Sequence, residues 1–399
     1  MSVLRIATAG SVDDGKSTLI GRLLVDSHAL LEDQLAAVRA ASLRRGVSGL
    51  DLALLTDGLR AEREQGITID VAYRYFATAK RKFILADCPG HVQYTRNMVT
   101  GASTADAALI LVDAAKGLLE QTVRHTTVAG LLRVPHAVFC VNKMDLAGYS
   151  QARFAEIERE ALALARRVDL AQAVVIPVSA LEGDGVVERS ARMPWHTGPS
   201  LLEHLESLEP RGAGDGPLRL AVQQPILPRA SGQSQPYRGY AGYLAGGSVR
   251  AGDAVVHLPS GLTTTIASVE LGGRALDAAA APRSVTVRLA RELDVARGDM
   301  LACPANPPVV GKELDATLCW VGDAALAVGR PYVLRHSSAE ARAIVLGVDR
   351  PVGTNDFAEV RLRASRPLCY DRYKVNRATG SFILIDETTN QTVAAGMIA

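Results

Sequence analysis

Five runs in the first half of the chain are apolar almost without interruption: Val3–Ala9, Phe83–Asp87, Ala107–Asp113, Ala137–Asn142 and Val174–Val178. Between them apolar residues recur at helical spacing, over Lys16–Leu24, His91–Gly101, Gln121–Leu132 and Arg153–Val168. A strand that is apolar on both sides has to be covered on both sides. The alternation therefore predicts a mostly parallel sheet with helices on both faces. Ligands of such sheets bind beyond the carboxyl ends of the strands. The residues just after each run are the ones to read for chemistry.

The pattern changes after about Leu208. Glu209 to Pro217 is a Pro- and Gly-rich linker with little to pack. Beyond it helical spacing nearly vanishes, and short alternating strands are punctuated by turns, as in Gly246-Gly247-Ser248-Val249-Arg250-Ala251-Gly252-Asp253. That spacing predicts small β-barrels. A second break, Cys303-Pro304-Ala305-Asn306-Pro307-Pro308, divides this half in two. Three domains are expected: an α/β domain over 1–209 and β-barrels over 216–305 and 308–399. The stretch Ser27–Gln65 is a long insertion before a strand pair around Tyr73–Phe76. Its apolar positions suggest two short helices, and connections of this length are usually functional.

Composition narrows the class. A chain of 399 residues exceeds one compact core. A formal net charge of +2 gives no electrostatic ground for nucleic-acid binding. The five cysteines, Cys88, Cys140, Cys303, Cys319 and Cys369, are scattered and never in C-x-x-C spacing, as expected of reduced thiols in a cytoplasmic protein. No apolar stretch approaches the roughly 18 residues that span a bilayer. No leader precedes the first strand, so a cytoplasmic location without membrane contact is expected.

The candidate chemistry sits at the ends of the runs. Gly10-Ser11-Val12-Asp13-Asp14-Gly15-Lys16-Ser17 follows the first run and fits the phosphate loop G-x-x-x-x-G-K-[ST]. Its backbone N–H groups and the following helix N-terminus face phosphates. Lys16 brings positive charge between the β- and γ-phosphates, and Ser17 offers a hydroxyl to Mg²⁺. Asp87-Cys88-Pro89-Gly90-His91 follows the second run. Asp87 suits the Mg²⁺ shell, and Gly90 can bring its N–H to the γ-phosphate with no side chain in the way. Asn142-Lys143-Met144-Asp145 fits the N-K-x-D reader of guanine. The Asp145 carboxylate accepts from N1–H and the 2-amino group, the Lys143 stem covers the base, and Asn142 ties this loop to the phosphate loop. Ser179-Ala180 offers a backbone N–H to guanine O6. Two decoys are set aside. Arg297-Gly298-Asp299 reads as a β-turn, and Gly311-Lys312-Glu313 lacks the rest of a second phosphate loop.

These motifs, in this order, resemble those of the translation-factor class of GTPases, typified by elongation factor Tu. Within it the chain resembles the GTPase (large) subunit of heteromeric sulfate adenylyltransferase. Three runs carry that branch: Gly10 to Thr18, with Asp13-Asp14 where elongation factor Tu has Asp-His; Asp57 to Phe76; and Asp87 to Met98. The closing stretch Asn376 to Asp386, with Thr389-Asn390 and Ala395 to Ile398, matches as well. The resemblance spans essentially the whole chain and implies the elongation-factor-Tu-like plan of a GTPase domain and two barrels. It implies GTP and Mg²⁺ as ligands, with Thr68 as a second hydroxyl on Mg²⁺. It implies His91 as the water-orienting catalytic group, with Val12 and Ile67 forming an apolar gate around it. It also implies a separate small subunit that converts ATP and sulfate to adenosine 5′-phosphosulfate and pyrophosphate, driven by GTP hydrolysis here. No S-G-G-x-D-S or H-x-G-H motif for adenylyl transfer occurs in this chain. The alternatives are a translation factor binding aminoacyl-tRNA and a non-catalytic GTP-bound scaffold. Some relatives continue into an adenylylsulfate kinase domain, so both a stand-alone subunit and a piece of a fusion fit a chain ending at Ala399.

Overall fold

The apolar runs of the first half become strands, and they align so that their motif-bearing ends meet at one edge. The computed structural model describes residues 3–27, 33, 36, 38, 39, 42, 50, 52, 70–91, 94–170, 172–210, 214, 216–227 and 237–399. It falls into two units, 1–211 and 212–399.

In the first unit the strands are β1 (Val3–Ala9), β2 (Ala72–Ala77), β3 (Lys82–Asp87), β4 (Ala107–Asp113), β5 (His136–Asn142) and β6 (Gln172–Pro177). They form one sheet in the order β2-β3-β1-β4-β5-β6. Every pairing is parallel except β2 with β3, which is antiparallel. The helices are α1 (Lys16–Asp26), α2 (Thr95–Ser103), α3 (Glu120–Leu131), α4 (Gln151–Arg167) and α5 (Leu201–Ser207). Leu19, Ile20 and Leu23 of α1 and Leu201 and Leu205 of α5 share one core with Leu4, Leu85, Leu109 and Leu111 of the sheet. The alternate residues Ala108, Ile110 and Val112 of β4 point the other way and are equally buried. The helices α2, α3 and α4 pack against the strands as well. This is the layered, mostly parallel architecture that the apolar runs imply.

Two details differ from the sequence reading. The helix expected from His91 begins at Thr95. His91 instead sits in a turn in which the Tyr94 N–H donates to the His91 carbonyl at 3.0 Å. Pro89-Gly90 favours such a turn over a helix start. The short helix α5 was not anticipated. Its N-terminus carries a capping box in which Ser200 accepts from the Glu203 N–H and Glu203 accepts from the Ser200 N–H. The two helices expected within Ser27–Gln65 fall almost wholly outside the described residues.

The second unit is all β among its described residues. Strands 254–258, 300–302, 219–226, 239–246, 283–289 and 262–271 pair in that order, and the first pairs with the last to close a barrel. Strands 309–320, 357–370, 339–348, 331–336, 381–386 and 392–398 close a second barrel. Arg297-Gly298-Asp299 is indeed a turn, with Gly298 at φ +95° and the Asp299 N–H on the Ala296 carbonyl at 3.2 Å. Gly311-Lys312-Glu313 lies within a strand.

The barrels are joined by an ion pair shut off from water. Arg219 is 1% exposed, and its Nε and Nη2 each reach an Asp371 carboxylate oxygen at 2.9 Å. Arg219 also donates to the Asn306 carbonyl at 2.8 Å, and the Thr379 hydroxyl donates to Asp371 at 2.6 Å. A buried charge whose partner is removed is far costlier than the pair is stabilising. Asp371→Ala is therefore expected to destabilise this unit by about 3–5 kcal/mol, and Arg219→Met with Asp371→Leu by much less. Urea unfolding followed by Trp320 fluorescence in a Trp195→Phe background checks this.

Candidate guanine-nucleotide site

Four of the strand ends, those of β1, β3, β5 and β6, deliver the predicted motifs to the same edge. The phosphate loop runs from Gly10, at φ +135°, through Asp13 at +66° to Gly15 at +89°, and α1 then begins at Lys16. The loop is braced from within. The Ser11 N–H donates to Asp14 Oδ2 at 2.7 Å, and Lys16 Nζ donates to the Ser11 carbonyl at 2.7 Å and the Gly10 carbonyl at 3.3 Å. Burial pulls the Lys16 ammonium below its ordinary pKa, against the nearby carboxylates of Asp87 and Asp14. Burial likewise pushes the Asp14 carboxyl up, opposed by the Ser11 N–H and Lys16. Its Oδ1 is buried and has no hydrogen-bond partner among the described residues. Val12, Ser17 and Thr18 are half-buried along the loop and the first turn of α1, and Asp13 is exposed.

Asp87 ends β3 and is buried, with Oδ1 accepting the Thr8 hydroxyl at 3.0 Å. Gly90 lies directly over the phosphate loop. A Cβ there would run into Lys16 Nζ and come within 3.0 Å of the Gly10 carbonyl. His91 is half-buried, its ring 6.0 Å from that of Tyr94. Thr68 and Ile67 lie outside the described residues.

At the base-reading end, Asn142 closes β5 and joins two loops. Its Nδ2 donates to the Asp14 carbonyl at 2.8 Å, and its Oδ1 accepts the Ala180 N–H at 2.9 Å. Lys143 stands at φ +62°, its Nζ 2.8 Å from Asp113 Oδ2. Asp145 is fixed by the Ser179 hydroxyl, which donates to Oδ1 at 2.6 Å. The N–H expected to meet guanine O6 is otherwise engaged at both positions. Ala180 gives its own to Asn142, and Ser179 gives its own to the Asp184 carbonyl at 2.9 Å. The pair orients Asp145 and takes up Asn142.

Sequence reasoning missed three supporting residues. Asp113, at the carboxyl end of β4, holds Lys143. Burial raises its carboxyl pKa, but the Lys143 ammonium and the N–H of Ala115 outweigh this, and the net shift is downward. Its position at a strand end was the available signal. Thr122 and His125 project from α3 to the back of the phosphate loop. The Thr122 hydroxyl is 3.4 Å from Ser11 Oγ, and the Gly10 N–H donates to His125 Nδ1 at 3.1 Å. Burial, with the Lys16 charge nearby, draws the His125 pKa down to about 3. The ring is therefore neutral, and its other nitrogen, Nε2, lies 2.8 Å from the Gln121 side-chain amide nitrogen. Nothing in the spacing of α3 distinguishes this His from an ordinary helix residue.

Comparison with known proteins fits this geometry. Residues 1–211 match the elongation factor Tu GTP binding domain family, and residues 313–399 match the GTP-eEF1A C-terminal domain-like family. Sulfate adenylyltransferase subunit 1 of Teredinibacter turnerae is 46% identical over 99% of this chain, which covers 87% of that protein. The chain belongs to the sulfate adenylyltransferase subunit 1 family, GTPases of the elongation factor Tu class. Other members are longer. The bifunctional enzyme CysN/CysC of Mycobacterium tuberculosis (strain H37Rv) is 52% identical over 100% of the chain, which covers 67% of it. The bifunctional enzyme NodQ of Rhizobium sp. (strain BR816) is 47% identical over 100% of the chain, which covers 64% of it. The chain thus spans about two thirds of the length of these bifunctional relatives. No described helix is long and apolar enough to cross a membrane.

Two outcomes follow. Asn142→Ala removes both bridges between the loops and is expected to weaken GDP binding roughly 10- to 100-fold, measured by calorimetry. His125 is neutral in the folded chain, whereas an unfolded His takes a proton near pH 6.5. Between pH 6.5 and about 3 the unfolded state binds more protons, so stability falls as pH is lowered through that window. His125→Gln is expected to flatten that part of the profile, read from urea midpoints against pH.

Proposed function

We propose that this chain hydrolyses GTP across these loops and uses the hydrolysis to drive adenylyl transfer on a separate catalytic subunit. That subunit would form adenosine 5′-phosphosulfate and pyrophosphate from ATP and sulfate. The observation that carries the guanine reading is Asn142, which locks the base-reading loop and the phosphate loop into one cradle. The family supplies the coupling. No adenylyl-transfer motif was found in the sequence, and near-neutral charge gives no support to a nucleic-acid partner. The relative named sulfate adenylyltransferase subunit 1 favours this reading over aminoacyl-tRNA delivery. A cytoplasmic location goes with it.

In this reading the backbone of Gly10 to Ser17, extended by Thr18 at the head of α1, receives the phosphates. Lys16 exchanges its two loop carbonyls for phosphate oxygens. Gly90 meets the γ-phosphate from above, in space that any side chain would fill. Ser17 and Asp87 would offer hard oxygen donors, which fits Mg²⁺, an ion that takes few protein ligands beside phosphates and water. Among the described residues no group of three or more His, Cys, Asp or Glu forms a cage of its own, so the ion would arrive with the nucleotide. When bound it would neutralise charge on the phosphate oxygens, with Thr68 as a further hydroxyl. His91 orients the attacking water once it swings in between Val12 and Ile67. Positioning of this kind is the main demand of phosphoryl transfer.

His91→Ala is expected to cut hydrolysis about 100-fold or more while leaving GTP affinity nearly intact. Unchanged turnover would remove His91 from the mechanism. Asp145→Asn is expected to shift preference from GTP toward xanthosine triphosphate. The proposal as a whole is tested by GTP hydrolysis with and without a sulfurylase small subunit, while ATP and sulfate are varied. Stimulation that needs the partner and its substrates is the expected result. Hydrolysis indifferent to them would overturn the coupling.

A further inference from the structure

The loop after β6 is gripped by a side chain from the phosphate end of the site. Arg22 lies near the middle of α1, and its Nε donates to the Ala180 carbonyl at 3.1 Å. Its Nη2 donates to the next carbonyl, that of Leu181. Its Nη1 is 3.5 Å from Asp26 Oδ1 one turn on. A Cβ at Gly183 would lie 3.5 Å from Asp26 Oδ2 and 3.7 Å from Arg22 Cδ, so the 180–183 turn seats closely on this stretch of helix. The Ala180 peptide is held at both ends, its N–H by Asn142 and its carbonyl by Arg22.

A guanidinium presents its donors in a fixed planar fork and can hold two neighbouring acceptors at once, which an ammonium cannot do with the same geometry. The helix that carries this fork begins with Lys16 and Ser17. One rigid element therefore bears phosphate-binding groups at its N-terminus and a clamp on the base-side loop further along. The same loop carries Ser179, whose hydroxyl fixes the Asp145 carboxylate. Movement of the loop would change where that carboxylate stands.

We propose that Arg22 is a positioning residue for base recognition: it sets the 179–181 loop against the phosphate-loop helix and, through Ser179, orients Asp145. The proposal rests on the reading that a guanine nucleotide binds here. Arg22→Met keeps the aliphatic stem and removes the donors. Affinities of the full chain for GDP and for inosine diphosphate, which lacks the 2-amino group, are measured by calorimetry alongside thermal unfolding. Arg22→Met is expected to weaken GDP about tenfold and inosine diphosphate far less, with turnover at saturating GTP near that of the parent. A purely structural role would lower the thermal midpoint and weaken both nucleotides by the same factor. That result, or an unchanged preference, overturns the proposal. Should Arg22→Met fail to fold, Arg22→Lys is expected to lose part of the preference, and full retention overturns the proposal equally. A parent chain that binds neither nucleotide would overturn the underlying site, a result distinct from failure in the variants alone.

Discussion

The arrangement of the first unit depends on one carboxamide. Asn142 spends its donor on the phosphate loop and its acceptor on the Ala180 loop, and both partners are backbone groups of segments far away in sequence. Asn142 is 2% exposed, so water offers these groups little substitute. A parallel sheet can bring several loops to one edge, but it leaves their mutual spacing free. The asparagine fixes that spacing. The phosphate loop, the N-K-x-D loop and the Ala180 loop are thereby held at a set separation.

Around that bridge the supports differ in kind. Lys143 is tethered by a carboxylate at the end of the neighbouring strand, and Asp145 by a hydroxyl from the next loop. The phosphate loop is backed by a neutral imidazole. A buried imidazole is a sound acceptor for the Gly10 N–H only while it stays unprotonated, and burial keeps it so. These are short-range, well-aligned contacts of the sort that hold a site ready before its ligand arrives.

The order of strands and helices in the first unit was legible because fully buried strands have no polar face to disguise them, and each motif had a strand in front of it. The two-barrel plan was legible through turn spacing. What escaped was of two sorts. The capping box Ser200-Leu201-Leu202-Glu203 was present as a sequence signal and unread. Arg22, Thr122 and His125 carried no signal, because their roles come from which loops the sheet places opposite α1 and α3. The acceptor that holds the Ala180 N–H escaped for the same reason: Asn142 lies 38 residues away and becomes a neighbour only in the folded sheet.

Gly15 draws the two signatures together in another way. A Cβ at this position would overlap Nδ2 of Asn142, and the backbone there stands at φ +89°. The second glycine of the phosphate loop is therefore demanded by the asparagine of the N-K-x-D run. The two motifs are not independent pieces of information. A side chain at position 15 would push Asn142 off the Asp14 carbonyl, so a change in the phosphate loop would be felt in the N-K-x-D loop.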